Sequence, residues 1–161
     1  MRKMIDVWFL LEMFLLLNLH GITEAASVTL TEIGLSARYP WPASGTIRIS
    51  STCSADLPRV TLRFYRGGSY GGYIYWRTDE NRLQVYCNGA AQRYTYYPFT
   101  PDCSGGGNIT LTAQWRSDDI RVVYEGEEVA VRKRDGRCGE QPDQWLLSIY
   151  GPGRVTATDQ G

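Results

Sequence analysis

From Val28 onward, apolar and polar residues alternate with a period of two, and no window carries the three-to-four spacing of an amphipathic helix. In TIRIS (Thr46 to Ser50), Ile47 and Ile49 share one face, while Thr46, Arg48 and Ser50 share the other. RVTLRFYR (Arg59 to Arg66) sets Val60, Leu62 and Phe64 against Thr61, Arg63 and Tyr65, and NITLTAQW (Asn108 to Trp115) sets Ile109, Leu111, Ala113 and Trp115 against threonines and a glutamine. Successive side chains of an extended backbone point to opposite sides, so each segment predicts a strand with one buried and one wet face. RSDD (Arg116 to Asp119) and EGEE (Glu125 to Glu128) read as turns that join NITLTAQW to IRVVY and then to VAVRK, a three-stranded antiparallel meander. RGGSYGG (Arg66 to Gly72) reads as a flexible loop between two strands, and GPG (Gly151 to Gly153) turns QWLLSIYG into RVTAT. Roughly ten or eleven short strands punctuated in this way predict an all-β, two-sheet antiparallel β-sandwich.

GYIYWRTDENRLQVYCNG (Gly72 to Gly89) is the densest stretch in aromatic and polar chemistry. Its alternation places Ile74 and Trp76 inside with Leu83 and Val85, and leaves Tyr73, Tyr75 and Arg77 on the outer face. TDENR reads as the polar turn between the two strands. Arg93, Tyr94, Tyr96 and Tyr97 follow, so several tyrosines and arginines are expected on one exposed sheet. Tyrosine and arginine offer large contact area and fixed donors, which suits recognition.

The start of the chain changes the picture of where this sandwich works. Arg2 and Lys3 precede the apolar run VWFLLEMFLLLNL (Val7 to Leu19), and HGITEAAS follows. That layout predicts a secretory signal peptide over residues 1–25, cut after Ala25, because Thr23 and Ala25 fill the small-residue positions. The run is shorter than the roughly 18 apolar residues of a spanning helix and is interrupted by Glu12, so no membrane span is expected. Residues 26–161 then form a single domain.

The domain keeps 15 Lys/Arg and 14 Asp/Glu, a balance without the basic footprint of a nucleic-acid binder. The one basic run, VRKRDGR (Val131 to Arg137), reads as a solvated hairpin end. Cys53, Cys87, Cys103 and Cys138 are an even set in a secreted chain, which predicts two disulfides of open connectivity. No CxxC pair favours a metal, and no cofactor is expected. Asn108-Ile109-Thr110 is an N-glycosylation sequon, meaningful in a secreted chain. The only histidine, His20, lies in the predicted leader. This excludes Ser-His-Asp and Cys-His hydrolysis and histidine-bound zinc in the mature chain. A carboxylate pair could still work as acid and base, as in glycosidases. The candidates Asp79-Glu80 and Asp118-Asp119 read as turn residues, so the chain is not expected to be an enzyme, and a small carboxylate-dependent hydrolase is the third reading.

An immunoglobulin sandwich fits poorly, since Val85, not tyrosine, stands two residues before Cys87. The segments SGTIRIS, RVTLRFY, YIYWR, LQVYCNG, YPF, NITLTAQWRSDDIRVVYEGEEVAV and WLLSIYGPGRVT resemble the galectin family in order and rhythm, from Gly45 to Thr156. The resemblance implies a galectin-like, concanavalin-type jelly roll with a sugar-facing strand pair. Of the family's His-x-Asn-x-Arg set, TDENR keeps Arg82, and Asn88 matches the asparagine that follows. NGAAQRYTYYPF is too short for the family's tryptophan and Glu-x-Arg, which implies an altered specificity. The candidate ligand-binding set is Tyr75, Arg77, Asn81, Arg82, Asn88 and Arg93. The function expected is that of a secreted, extracellular, non-enzymatic binding protein, a galectin-like lectin or glycan-recognition module. The alternative is an extracellular matrix, adhesion or other secreted protein-interaction module without sugar binding. Its partner is a carbohydrate or an extracellular protein.

Overall fold

A computed structural model of the 161-residue chain describes residues 25–54 and 56–161. The predicted leader lies outside the described residues apart from Ala25. Thirteen strands follow one another: β1 (Ser27–Leu30), β2 (Gly34–Leu35), β3 (Tyr39–Pro40), β4 (Thr46–Thr52), β5 (Arg59–Arg66), β6 (Ser69–Arg77), β7 (Arg82–Cys87), β8 (Tyr94–Pro98), β9 (Asn108–Trp115), β10 (Asp119–Tyr124), β11 (Glu127–Lys133), β12 (Gln144–Tyr150) and β13 (Val155–Asp159). They form two antiparallel sheets. The first runs β1-β13-β4-β9-β10-β11, and the second runs β2-β12-β5-β6-β7-β8 with β3 also paired to β12. Among the described residues, no helix is long and apolar enough to cross a membrane.

The period-two pattern explains which faces meet. Ile47, Ile49, Leu111, Val122 and Ala157 of the first sheet are buried against Leu62, Ile74, Leu83, Val85 and Leu147 of the second. At one end the Phe64 ring bridges the layers, with its centroid 4.5 Å from Trp115 and 6.5 Å from Trp41. Such side chains each remove much apolar surface from water, which drives the layers together. The predicted meander is present as β9-β10-β11, with Trp115 opposite Ile120 and Ile120 opposite Arg132.

Two readings of the sequence are corrected. RGGSYGG is not a loop: β5 and β6 form a hairpin closed by Gly67 and Gly68, both at positive φ, with Tyr65 opposite Tyr70 and Phe64 opposite Gly72. Gly72 is required by close approach, since a Cβ there would stand 2.1 Å from the Tyr86 carbonyl and 2.8 Å from the Phe64 ring. VRKRDGR is not a solvated hairpin end either. Arg132 is 5% exposed, because Ala130 and Arg132 occupy the inner side of β11 and the small alanine leaves room for a long side chain beside it.

The cysteines pair as Cys53–Cys103 and Cys87–Cys138. The first ties the end of β4 to the segment before β9, where the Cys53 N–H also donates to the Gly107 carbonyl at 2.8 Å. The second ties the end of β7 to a 3-10 turn, Gly136–Gly139, with both cysteines fully buried. The first strand is fastened at its start. The Ala26 N–H donates to the Asp159 carboxylate at 3.0 Å, and the Asp159 N–H donates to the Ala26 carbonyl at 2.9 Å.

Candidate functional site

The outer face of the second sheet gathers the tyrosines and arginines. Strand register arranges them in rows across the sheet. One row reads Leu146, Arg63, Tyr73, Tyr86, Tyr94 from β12 to β8, and the next reads Ser148, Thr61, Tyr75, Gln84, Tyr96. A third begins with Tyr150 opposite Arg59 and continues with Arg77 opposite Arg82. These are the positions that alternate with the buried Val60, Leu62, Ile74, Trp76, Leu83 and Val85, so the same pattern that builds the core builds this face.

The rings touch in sequence. Tyr70 lies 5.8 Å from Tyr65 and stacks on Tyr86 at 6.1 Å. Tyr86 stacks on Tyr73 at 5.1 Å and lies 4.9 Å from Tyr94, and Tyr94 stacks on Tyr96 at 6.4 Å. Gln84, buried beneath them, donates its amide N–H to the Tyr73 hydroxyl at 2.6 Å. Burial pushes the Tyr70 and Tyr73 phenols above the ordinary tyrosine value, with neighbouring tyrosines adding to the effect. The shift moves both further from ionisation than a free tyrosine, which is itself protonated at physiological pH.

Arginines border the rings. Arg82 lies over the Tyr96 ring at 4.3 Å, Arg77 over Tyr75 at 5.4 Å, and Arg59 over Tyr150 at 4.1 Å. The β6–β7 turn supplies counter-charges. Arg77 pairs with Asp79 at 3.1 Å and Glu80 at 2.6 Å, Arg82 pairs with Glu80, and Arg59 reaches Asp79 at 3.7 Å. The hydrogen bonds from Arg77 hold the Asp79 carboxyl below the usual carboxylate range.

The six candidate residues separate into two groups. Tyr75, Arg77 and Arg82 share the outer face, with Asn81 at the adjoining turn, where it adopts φ 50° and its carbonyl accepts the Phe99 N–H. Asn88 lies at the other end of β7, about 20 Å away at roughly 3.3 Å per residue. Its amide donates to the Tyr70 carbonyl at 3.2 Å and accepts from the Tyr86 hydroxyl at 3.3 Å. Arg93 is exposed beside it, and its carbonyl accepts from the Cys87 N–H and from Arg132.

The sequence reading centred on β6 and β7 and passed over Arg63 and Thr61 of β5 and Ser148 and Tyr150 of β12. These residues join Tyr70, Tyr73 and Tyr75 around a groove of about 650 Å³, walled on one side by Ile33 and Leu35. The alternation in RVTLRFYR already turned Arg63 outward. Its place beside Tyr73 depends on which strand pairs with β5, which local alternation does not specify.

No protein-family model matches the chain, and no curated protein matches it in sequence. Solved structures do. A tetrameric galectin from the ball sponge Cinachyrella is similar at 13% identity and TM-score 0.55, over 81% of this chain and 94% of that one. Chicken galectin 2 is similar at 14% identity and TM-score 0.52, over 82% of this chain and all of that one. Bacillus licheniformis β-glucanase is similar at 13% identity and TM-score 0.50, over 83% of this chain and 75% of that one. The chain spans 64% of a lichenase derived from a mouse hindgut metagenome. The chain thus has the galectin-like jelly roll. These neighbours also correct the expectation that it is not an enzyme: a β-glucanase, a glycosidic hydrolase and a transglycosylase carry this jelly roll. Glycosidases work with paired carboxylates and need no histidine. The missing histidine excludes only histidine-dependent chemistry.

Proposed function

We propose that the chain is a secreted, galectin-like protein that binds saccharide on the outer face of its β12-β5-β6-β7-β8 sheet. The observation that carries this reading is the continuous tyrosine surface, bordered by arginines and hydroxyls, on one face of a galectin-like sandwich. Sugar rings offer an apolar face that stacks on aromatic rings, and hydroxyls that pair with fixed donors and acceptors. Tyr75, Arg77 and Arg82, together with Thr61, supply both kinds of contact within neighbouring rows. The altered β7–β8 connection, short of a tryptophan, directs the ligand toward the tyrosines instead of an indole.

Secretion follows from the leader at residues 1–25, and two disulfides are consistent with an oxidising, extracellular compartment. A glycan on Asn108 would leave the tyrosine face clear. Asn108 begins β9 on the first sheet and is exposed there, on the same outward side as the half-buried Thr110 and Thr112.

The test is a glycan array on the mature protein, followed by calorimetry with the best hits and with Y75A. Removal of a central aromatic anchor is expected to weaken binding at least tenfold, about 1.4 kcal/mol, with the circular dichroism spectrum unchanged. The same incubations, read by mass spectrometry, show whether hits are retained or cleaved. An array without saccharide hits, or equal affinity in Y75A, overturns the proposal.

A further inference from the structure

The groove beside the tyrosine row differs in charge from the rest of the face. Around the β6–β7 turn every arginine has a carboxylate partner. Arg63, by contrast, has neither an ion pair nor a hydrogen bond to its side chain among the described residues, although it is half-buried on the outer face of β5. No carboxylate lines the groove in which it stands. Arg59 lines the same groove, paired at 3.7 Å with Asp79, which does not line it. The chain as a whole is neutral, so this local excess of positive charge comes from placement and not from composition.

We propose that this groove takes an anionic saccharide, with the carboxylate or sulfate of the sugar seated on Arg63. The inference rests on the saccharide reading above and names the class of sugar. A half-buried guanidinium without a counter-ion has given up part of its hydration for no partner, and an entering anion replaces what was lost. The planar fork of arginine matches carboxylate and sulfate oxygens with two parallel N–H donors. Neighbouring groups complete the cradle. The Tyr73 hydroxyl accepts from Gln84, which leaves its own hydrogen free to donate. Thr61 and Ser148, directly opposite each other on β5 and β12, add two hydroxyls. The Tyr70 and Tyr73 phenols are neutral at physiological pH, as tyrosines ordinarily are, and so can donate to an anion without repelling it. Ile33 and Leu35, both 62% exposed, give the wall against which an apolar sugar face rests.

The experiment measures affinity of the mature protein for lactose, 3′-sulfolactose and 3′-sialyllactose by calorimetry. At least one charged probe is expected to bind about tenfold or more tightly than lactose, the gain typical of a charge-assisted hydrogen bond. The two charged probes separate sulfate from carboxylate. In R63Q the preference is expected to shrink to within about twofold, whereas R48Q, which removes an equal charge from the outer face of the first sheet, retains it. The preference is also expected to shrink as salt rises toward about 1 M, incompletely because a partly buried pair is screened less than an exposed one. This measurement decides the matter if R63Q does not fold. Equal affinity for neutral and charged probes overturns the inference and leaves saccharide binding standing. So does a preference that survives R63Q, disappears equally in R48Q, or ignores salt. Binding of none of the three probes, with no saccharide hit on the array, overturns the underlying reading itself.

Discussion

Arg132 shows how one side chain shapes the tyrosine face from behind. It reaches out of β11 and donates to the carbonyls of Val85, Arg93 and Gln92 at 3.2, 3.3 and 2.5 Å and to the Thr95 hydroxyl at 2.7 Å. Asp135 balances its charge at 3.2 Å. The cation thereby holds the β7–β8 connection and the start of β8, from which Tyr94 and Tyr96 project. R132M is expected to destabilise the domain by about 3 kcal/mol, since it strands several buried acceptors at once. D135N, which loosens only a partly exposed partner, is expected to cost less than about 1 kcal/mol. Urea unfolding of both variants checks the order. This residue was illegible in the sequence for a physical reason. Val129 and Val131 are the apolar candidates for the inner side of β11, yet Val131 is exposed and Arg132 is enclosed, because the carbonyls that offset its burial belong to β7 and to the β7–β8 connection.

At the scale of the elements, most of the fold could be read from alternation. The strands TIRIS, RVTLRFYR and NITLTAQW, the meander after them, and the inward sides of β6 and β7 follow from period two, because a strand face either meets the core or meets water. The β5–β6 hairpin did not follow. Its four glycines look alike in sequence, but only Gly67 and Gly68 form the turn, whereas Gly71 and Gly72 lie within β6 beneath the Phe64 ring. That packing is tertiary and leaves no local signature. G72V is expected to force β6 away from both Tyr86 and Phe64, at a cost of about 3 kcal/mol or more. G67A meets no neighbouring atom and carries only its positive-φ strain of about 1 kcal/mol. Melting temperatures of the two variants should differ accordingly. The candidate site was legible to a similar degree. The tyrosines and arginines of β6 to β8 were readable from one hairpin and its successor, but the Arg63 groove required the non-local pairing of β5 with β12.

Over the whole molecule, the disulfides and the two faces divide the labour. Each bridge closes a loop of about 50 residues, with sequence separations of 50 and 51, and chain entropy assigns each roughly 4 kcal/mol. That is a large share of the 5–15 kcal/mol typical of a domain. Reduction is therefore expected to lower the melting temperature sharply, and non-reducing peptide mapping should recover Cys53 with Cys103 and Cys87 with Cys138. An unchanged melt in reductant would contradict that account. The seam between the first and last strands carries a further consequence. If the proposed leader is cut after Ala25, the Ala26 nitrogen that faces Asp159 ceases to be an amide and becomes a charged ammonium. Proteolytic trimming would then place a new ion pair at the spot where the chain's beginning meets its end. Maturation would lock the finished sandwich more tightly than its precursor, by the difference between a neutral and a charge-assisted hydrogen bond.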